Sequence, residues 1–323
     1  MVNLLLLKHE MPNTSHGTAS LQAAFALANG DEPSHCWDPL EVTPSARSAA
    51  MTSAATATPQ PHTGAIVPIH GRFVWHELLA RDIAKATAFY PDICGWTVAS
   101  MPFPGSEGTY TMFKLGDAGQ AGVTTFMADT VAGDAQAVWI PYMATDDADA
   151  TCREAVVLGA TLHMPPTDIP TIGRIAMLAD PEGAHFAVIT PAQPGMPEKE
   201  PVAGEFAWHE MLATDPAAAW EFYSRLFGWE KTHAMDMGAD GIYQMFGRGA
   251  FTYGGFMRRS PTNPRTMWNC YVRTADLDAA CKSIAQRGGR IVMGPHEVPN
   301  DDRIVCAVDD QGAVFSLVSK VTR

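Results

Sequence analysis

The chain has 323 residues, 46% hydrophobic and 18% charged, an ordinary globular composition with room for two cores. Its net charge of −13 excludes the non-specific nucleic-acid binding that needs a basic face to displace counterions from phosphates. No apolar run approaches the roughly 20 residues of a membrane span, and the six cysteines form no C-x-x-C pair, which points to a reducing compartment, the cytoplasm.

Residues 1–68 are unlike the rest. Leu4 to Leu7 is a short apolar run closed by Lys8, His9 and Glu10, without the basic start and longer apolar core of a secretory signal. Residues 43–66 are rich in Ala, Ser, Thr and Pro, so the segment reads as a disordered extension, with Met51 as an alternative start. Alternation with Phe, Val and Trp then predicts a strand over 71–80. Asp82 follows as an N-cap, and Ile83, Ala86, Phe89 and Tyr90 are spaced as one helix that stops at Gly95. Short strands are predicted at 96–101, 110–115 and 122–127, completing one βαβββ unit. The pattern restarts with a strand at 138–144, a helix at 147–158, and strands at 161–164, 174–178 and 185–189, the last two joined by the turn Asp180-Pro-Glu-Gly183. Asp168 and Arg174, like Glu297 and Arg303, flank one hairpin and read as an ion pair closing it.

The scheme then recurs after a Pro-rich linker at 193–203. Phe73, Trp75, His76, Glu77, Asp82, Tyr90 and Trp96 return as Phe206, Trp208, His209, Glu210, Asp215, Tyr223 and Trp229, at a constant offset of 133 (209 − 76). Later matches such as Trp139/Trp268, Tyr142/Tyr271 and Asp180/Asp309 hold an offset of 129 (271 − 142), so one copy has lost four residues in a loop. The chain is a duplicated domain, with copies at 69–192 and 204–323, and its fold class is α+β.

Four βαβββ units in two pairs, a strand running to an Asp-capped helix with Phe-Tyr, a Gly-Trp exit and a D-P-x-G turn resemble the vicinal oxygen chelate superfamily. That superfamily contains glyoxalase I, bleomycin and fosfomycin resistance proteins and extradiol dioxygenases. The resemblance implies two curved mixed sheets with helices on the outer face. It also implies a divalent metal on the concave face, held by His and Glu from the first and last strands of each unit. The paired domains that single-domain relatives obtain by dimerising lie here in one chain, so a monomer with a pseudo-dimeric domain pair is expected, with further association as the alternative.

The implied ligands are missing. The first-strand position lies seven residues before the capping Asp, which gives Trp75 (82 − 7), Ile140 (147 − 7), Trp208 (215 − 7) and Asn269 (276 − 7). The closing strands give Ala187 and Ser316, and 122–127 and 252–257 contain no carboxylate, imidazole or thiol. No cofactor is therefore expected, although His76 and His209, one place along, leave a route to a divalent metal through shifted residues. Strand alternation turns those histidines toward the helices, where a core role is the simpler reading.

The same alternation sets Glu77 beside Trp75, and Glu210 beside Trp208, on the concave face. These carboxylates are the candidate catalytic groups, unless a neighbouring Tyr or Arg simply satisfies them. Trp75, Tyr142, Trp208, Asn269, Tyr271 and Ser316 are the candidate ligand-binding residues, and Asn269 and Ser316 make the second cleft the more polar. The expected function is binding of a small, partly aromatic or carbonyl-bearing molecule in metal-free clefts. The alternatives are a lyase or isomerase with Glu77 or Glu210 as general base, and a metal-dependent glyoxalase- or dioxygenase-like enzyme with shifted ligands.

Overall fold

The computed structural model describes residues 69–102, 108–125, 136–193, 197–260, 265–299 and 301–320. The predicted extension at 1–68 lies outside the described residues. The first unit comprises β1 (Phe73–Ala80), α1 (Ile83–Phe89), α2 (Pro91–Cys94), β2 (Thr97–Pro102), β3 (Thr109–Leu115) and β4 (Ala118–Thr125). The second comprises β5 (Val138–Ala144), α3 (Ala148–Val157), β6 (Thr161–Ile169), β7 (Gly173–Ala179) and β8 (His185–Pro191). The second copy repeats this as β9 (Phe206–Ala213), α4 (Pro216–Phe227), β10 (Glu230–Asp236), β11 (Ile242–Arg248) and β12 (Phe251–Arg258). It continues with β13 (Met267–Arg273), α5 (Leu277–Gln286), β14 (Arg290–Val298), β15 (Asp302–Val308) and β16 (Val314–Lys320).

Each copy curls into one eight-stranded mixed sheet, ordered β2-β3-β4-β1-β5-β8-β7-β6 and β10-β11-β12-β9-β13-β16-β15-β14. The four central strands pair parallel, antiparallel, parallel, so the two units of a copy meet along β1 and β5, or β9 and β13. The four capping aspartates accept backbone N–H groups in the first helical turn: Asp82 from Ala84 and Lys85, Asp147 from Ala150, Asp215 from Ala217 and Ala218, and Asp276 from Ala279. A cap of this kind stabilises a helix by about 1 kcal/mol.

The single helix expected up to Gly95 is two short ones, because Pro91 lacks the N–H to continue the first and starts the second at its N1 position. Its counterpart is Ser224 (91 + 133), and α4 runs unbroken to Gly228. Gly95 and Gly228 both end their helices in the left-handed conformation, at φ 73° and 62°.

Each helix buries one face against the sheets, and the cores are shared across the copies. Phe89, Tyr90, Trp96 and Trp139 of the first copy pack with Ile284, Val305 and Phe315 of the second. Reciprocally, Met143, Leu178 and Phe186 pack with Trp220, Tyr223, Phe227 and Trp268. Hydrogen bonds follow the same exchange. Tyr90 donates to Asp309 at 2.9 Å and accepts from the Trp139 indole at 3.0 Å, while Tyr223 donates to Asp180 and accepts from Trp268, both at 3.0 Å. The turns Asp180-Pro-Glu-Gly183 and Asp309-Asp-Gln-Gly312 are thus more than hairpin connections, since each supplies the acceptor for the other copy's helix. Arg174 reaches Asp168 at 3.1 Å as expected, but it also makes a two-pronged contact with Asp149 of α3. Arg303 pairs with Asp278 of α5 at 3.0 Å. Among the described residues no helix is long and apolar enough to cross a membrane.

Candidate functional site

The central strands present one face to the shared core and the other to the concave side. Register places Trp75 opposite Tyr142 and Glu77 opposite Ile140, and in the second copy Trp208 opposite Tyr271 and Glu210 opposite Asn269. On the flanking strands Gly122 aligns with Glu77, Ala187 with Tyr142, Gly255 with Glu210 and Ser316 with Tyr271. All eight expected concave-face residues, Trp75, Glu77 and Tyr142 in the first copy and Trp208, Glu210, Asn269, Tyr271 and Ser316 in the second, are therefore brought together on the two concave faces.

Two residue types complete each site. Tyr110 of β3 donates to Glu77 Oε2 at 2.7 Å, and the Trp75 indole lies 3.4 Å from the same oxygen. In the second copy Tyr243 accepts from the Trp208 indole at 2.7 Å and stands beside Glu210. These tyrosines cross the sheet only because Gly122 and Gly255 have no side chain. A Cβ on Gly122 would sit 1.5 Å from the Tyr110 hydroxyl, and one on Gly255 2.3 Å from the Tyr243 ring. Both pairs keep the copy offset (243 − 110 and 255 − 122, each 133), so the signal was in the sequence.

Beyond this common frame the clefts diverge. The second half of the first cleft is an apolar cluster that includes Ile140, Tyr142, Met164, Met177 and Ala187. At the same positions, 129 residues on, Ile140 becomes Asn269, Met177 becomes Cys306 and Ala187 becomes Ser316. These three replacements touch one another. Ser316 Oγ lies 3.0 Å from Asn269 Oδ1 and 2.8 Å from Cys306 Sγ, and Asn269 Nδ2 reaches Cys306 at 3.5 Å and Glu210 Oε2 at 3.3 Å. Tyr271 donates to the same carboxyl oxygen at 3.0 Å. Burial raises the Glu210 carboxyl above its ordinary value, against the lowering pull of these donors. It also pushes the Cys306 thiol up to about 11 and the Tyr243 and Tyr271 phenols well above their usual range. Glu210 and Glu77 are both buried, at 8% and 1% exposure.

The donor set does not fit the divalent metal that the fold implies. A first-row metal needs three or four N, O or S donors converging at about 2.0 to 2.3 Å. The central positions carry indole, glycine, isoleucine and alanine in the first copy, and indole, glycine, an amide and a hydroxyl in the second. His76 and His209 do not replace them. They face away from both clefts and meet each other at the boundary of the copies, Nε2 to Nε2 at 2.8 Å, with Phe206 stacked on one ring and Phe73 on the other. A cavity of about 290 Å³ at the start of α4, lined by Trp220, Lys231, Gln244 and Arg258, shares no residue with either cleft.

The comparisons with known proteins agree with this architecture. The model of the Glyoxalase/Bleomycin resistance protein/Dioxygenase superfamily matches residues 72–188 and again 206–317. "Putative glyoxylase CFP32" of Mycobacterium tuberculosis is 29% identical over 245 residues, covering 76% of this chain and 93% of that protein. "Anthracycline biosynthesis protein DnrV" of Streptomyces peucetius is 30% identical over 260 residues, covering 77% and 93%. Among solved structures, the 2,3-dioxygenase LapB from a Pseudomonas species superposes with a TM-score of 0.55 at 12% identity, covering 79% of this chain and 94% of that one. The Mn(II)-bound glyoxalase from Novosphingobium aromaticivorans gives 0.50 at 16%, covering 79% and 83%, and both likenesses speak for the fold alone. With both βαβββ pairs matched in register, the chain belongs to the Glyoxalase/Bleomycin resistance protein/Dioxygenase superfamily as a tandem two-domain member.

Proposed function

We propose that the second cleft binds a small, flat, partly aromatic molecule bearing carbonyl or hydroxyl oxygens, without a metal, and that the first cleft is a structural copy. The observation that carries this reading is the joint replacement of Ile140, Met177 and Ala187 by Asn269, Cys306 and Ser316, which form one hydrogen-bonded cluster against Glu210. A buried polar cluster costs desolvation that an apolar face does not, and a ligand supplies a reason for it. Trp208 and Tyr243 offer an aromatic wall, while Glu210, Tyr271 and Asn269 offer convergent polar points, the usual make-up of a small-molecule site. The relative named for anthracycline biosynthesis supports an aromatic polyketide as the ligand class.

Calorimetric titration with 1,4-dihydroxyanthraquinone, a minimal probe of that class, tests the reading. Binding of one molecule per chain, weakened at least tenfold by Tyr271→Phe and unchanged by Tyr142→Phe, is the expected result. Equal loss from both variants would reject the assignment to the second cleft.

A second reading, lyase or isomerase chemistry with Glu210 as general base, is favoured by the burial that raises its proton affinity beside Tyr243 and Tyr271. Glu210→Gln separates the two. Loss of turnover with binding retained establishes catalysis, and unchanged turnover removes it.

A further inference from the structure

We propose that His76, His209 and Cys270 form a buried site for monovalent copper, with two nitrogens and one sulfur, at the boundary of the two copies. The site is independent of both clefts. His76 stands on β1 of the first copy, and His209 and Cys270 are register neighbours on β9 and β13 of the second. Their donor atoms all lie within 4.8 Å of one another, the two Nε2 atoms 2.8 Å apart.

His209 is oriented as a ligand is. His209 Nδ1 lies 3.3 Å from the Tyr253 carbonyl oxygen, which can only accept, so the proton sits on Nδ1 and the Nε2 lone pair points inward. The Phe73 and Phe206 rings stack on the imidazoles with centroids 3.6 and 3.5 Å away and fix their planes. The first-copy counterpart of Cys270 is Pro141 (270 − 129), so the duplication makes one such site and not two.

Charge and coordination select the ion. His76 is 4% exposed, His209 6% and Cys270 1%, so the donors lie out of reach of bulk water, which would otherwise fill a fourth position. Thiolate and imidazole suit a soft d10 cation, and Cu(I) accepts three donors where Zn(II) asks for four. Cu(I) with one thiolate is also neutral, whereas Zn(II) would leave a net positive charge in an apolar core. A planar three-donor site needs separations of roughly 3.5 Å. The Nε2 atoms stand closer than that, at 2.8 Å, and no donor pair is more than 4.8 Å apart, so side-chain shifts of about an ångström reach it. On binding, the Cys270 thiol loses its proton to solvent and His76 moves its own from Nε2 to Nδ1, releasing one proton per ion. The metal then ties β1 to β9 and β13 across the copies.

The test uses the reduced, full-length protein, produced in copper-supplemented cells and handled without oxygen. The expected result is one equivalent of Cu(I) retained against a competing chelator, mixed nitrogen and sulfur coordination by X-ray absorption, and a raised thermal midpoint. Cys270→Ala, a small apolar exchange that keeps the core, should fold and bind one equivalent less, whatever the other cysteines contribute. Equal copper on Cys270→Ala and wild type, sulfur-only coordination, or zinc retained in preference to copper would each overturn the proposal.

Discussion

Where the first copy buries Ile140, Met177 and Ala187, the second must satisfy an amide, a thiol and a hydroxyl, and it does so by bonding them to one another and to Glu210. Breaking such a cluster costs more than removing it, because a single deletion strands the remaining partners at about 1–3 kcal/mol. Asn269→Ile should therefore destabilise by that amount. Asn269→Ile/Cys306→Met/Ser316→Ala, which restores the first-copy residues, should recover most of it, and a denaturant series would show whether the costs simply add. Gly255→Ala should cost about 1–3 kcal/mol by displacing the Tyr243 ring, read as a lower denaturation midpoint. The Trp/Glu pairs were legible in the sequence because the capping Asp fixes their place in the strand. Cys306 was not, since matching identical residues between copies finds the scaffold and is blind to a position whose counterpart is Met177. Tyr110 and Tyr243 kept the offset, but a sequence does not say which residue on the next strand will reach across a glycine.

At the scale of elements, the turns that precede β8 and β16 join the copies through Asp180 and Tyr223, and through Asp309 and Tyr90. Asp180 is pushed up to about 6, chiefly by burial, although two backbone N–H groups and the Tyr223 hydroxyl pull the other way. A raised native value means the folded chain keeps a proton that the unfolded chain releases near its ordinary value of 3.8. The stability tied to that proton is complete below pH 3.8 and is lost as pH rises through about 6. Asp180→Asn carries no such proton. The stability difference between wild type and variant should shift toward the variant by about 1–3 kcal/mol between pH 4 and 7, and a difference independent of pH would contradict this. Strand alternation, the aspartate caps and the glycine stops made these elements readable. The split of the first helix at Pro91 was overridden by its apolar spacing, which continues in phase through the break.

Over the whole molecule, duplication has freed one cleft from the other. Each copy buries its helices against its partner's, so neither half holds a complete core without the other, and both sheets are retained for packing whatever their concave faces carry. The first cleft fills with Ile, Met and Ala, and the second keeps a polar cluster bonded to the Glu210 carboxyl. The account turns on that division, and native mass spectrometry of protein purified from its own host tests it most directly. One small molecule per chain, retained by wild type and by Tyr142→Phe and absent from Asn269→Ile/Cys306→Met/Ser316→Ala, is the predicted result. A molecule kept by that triple variant and lost from Tyr142→Phe would contradict it.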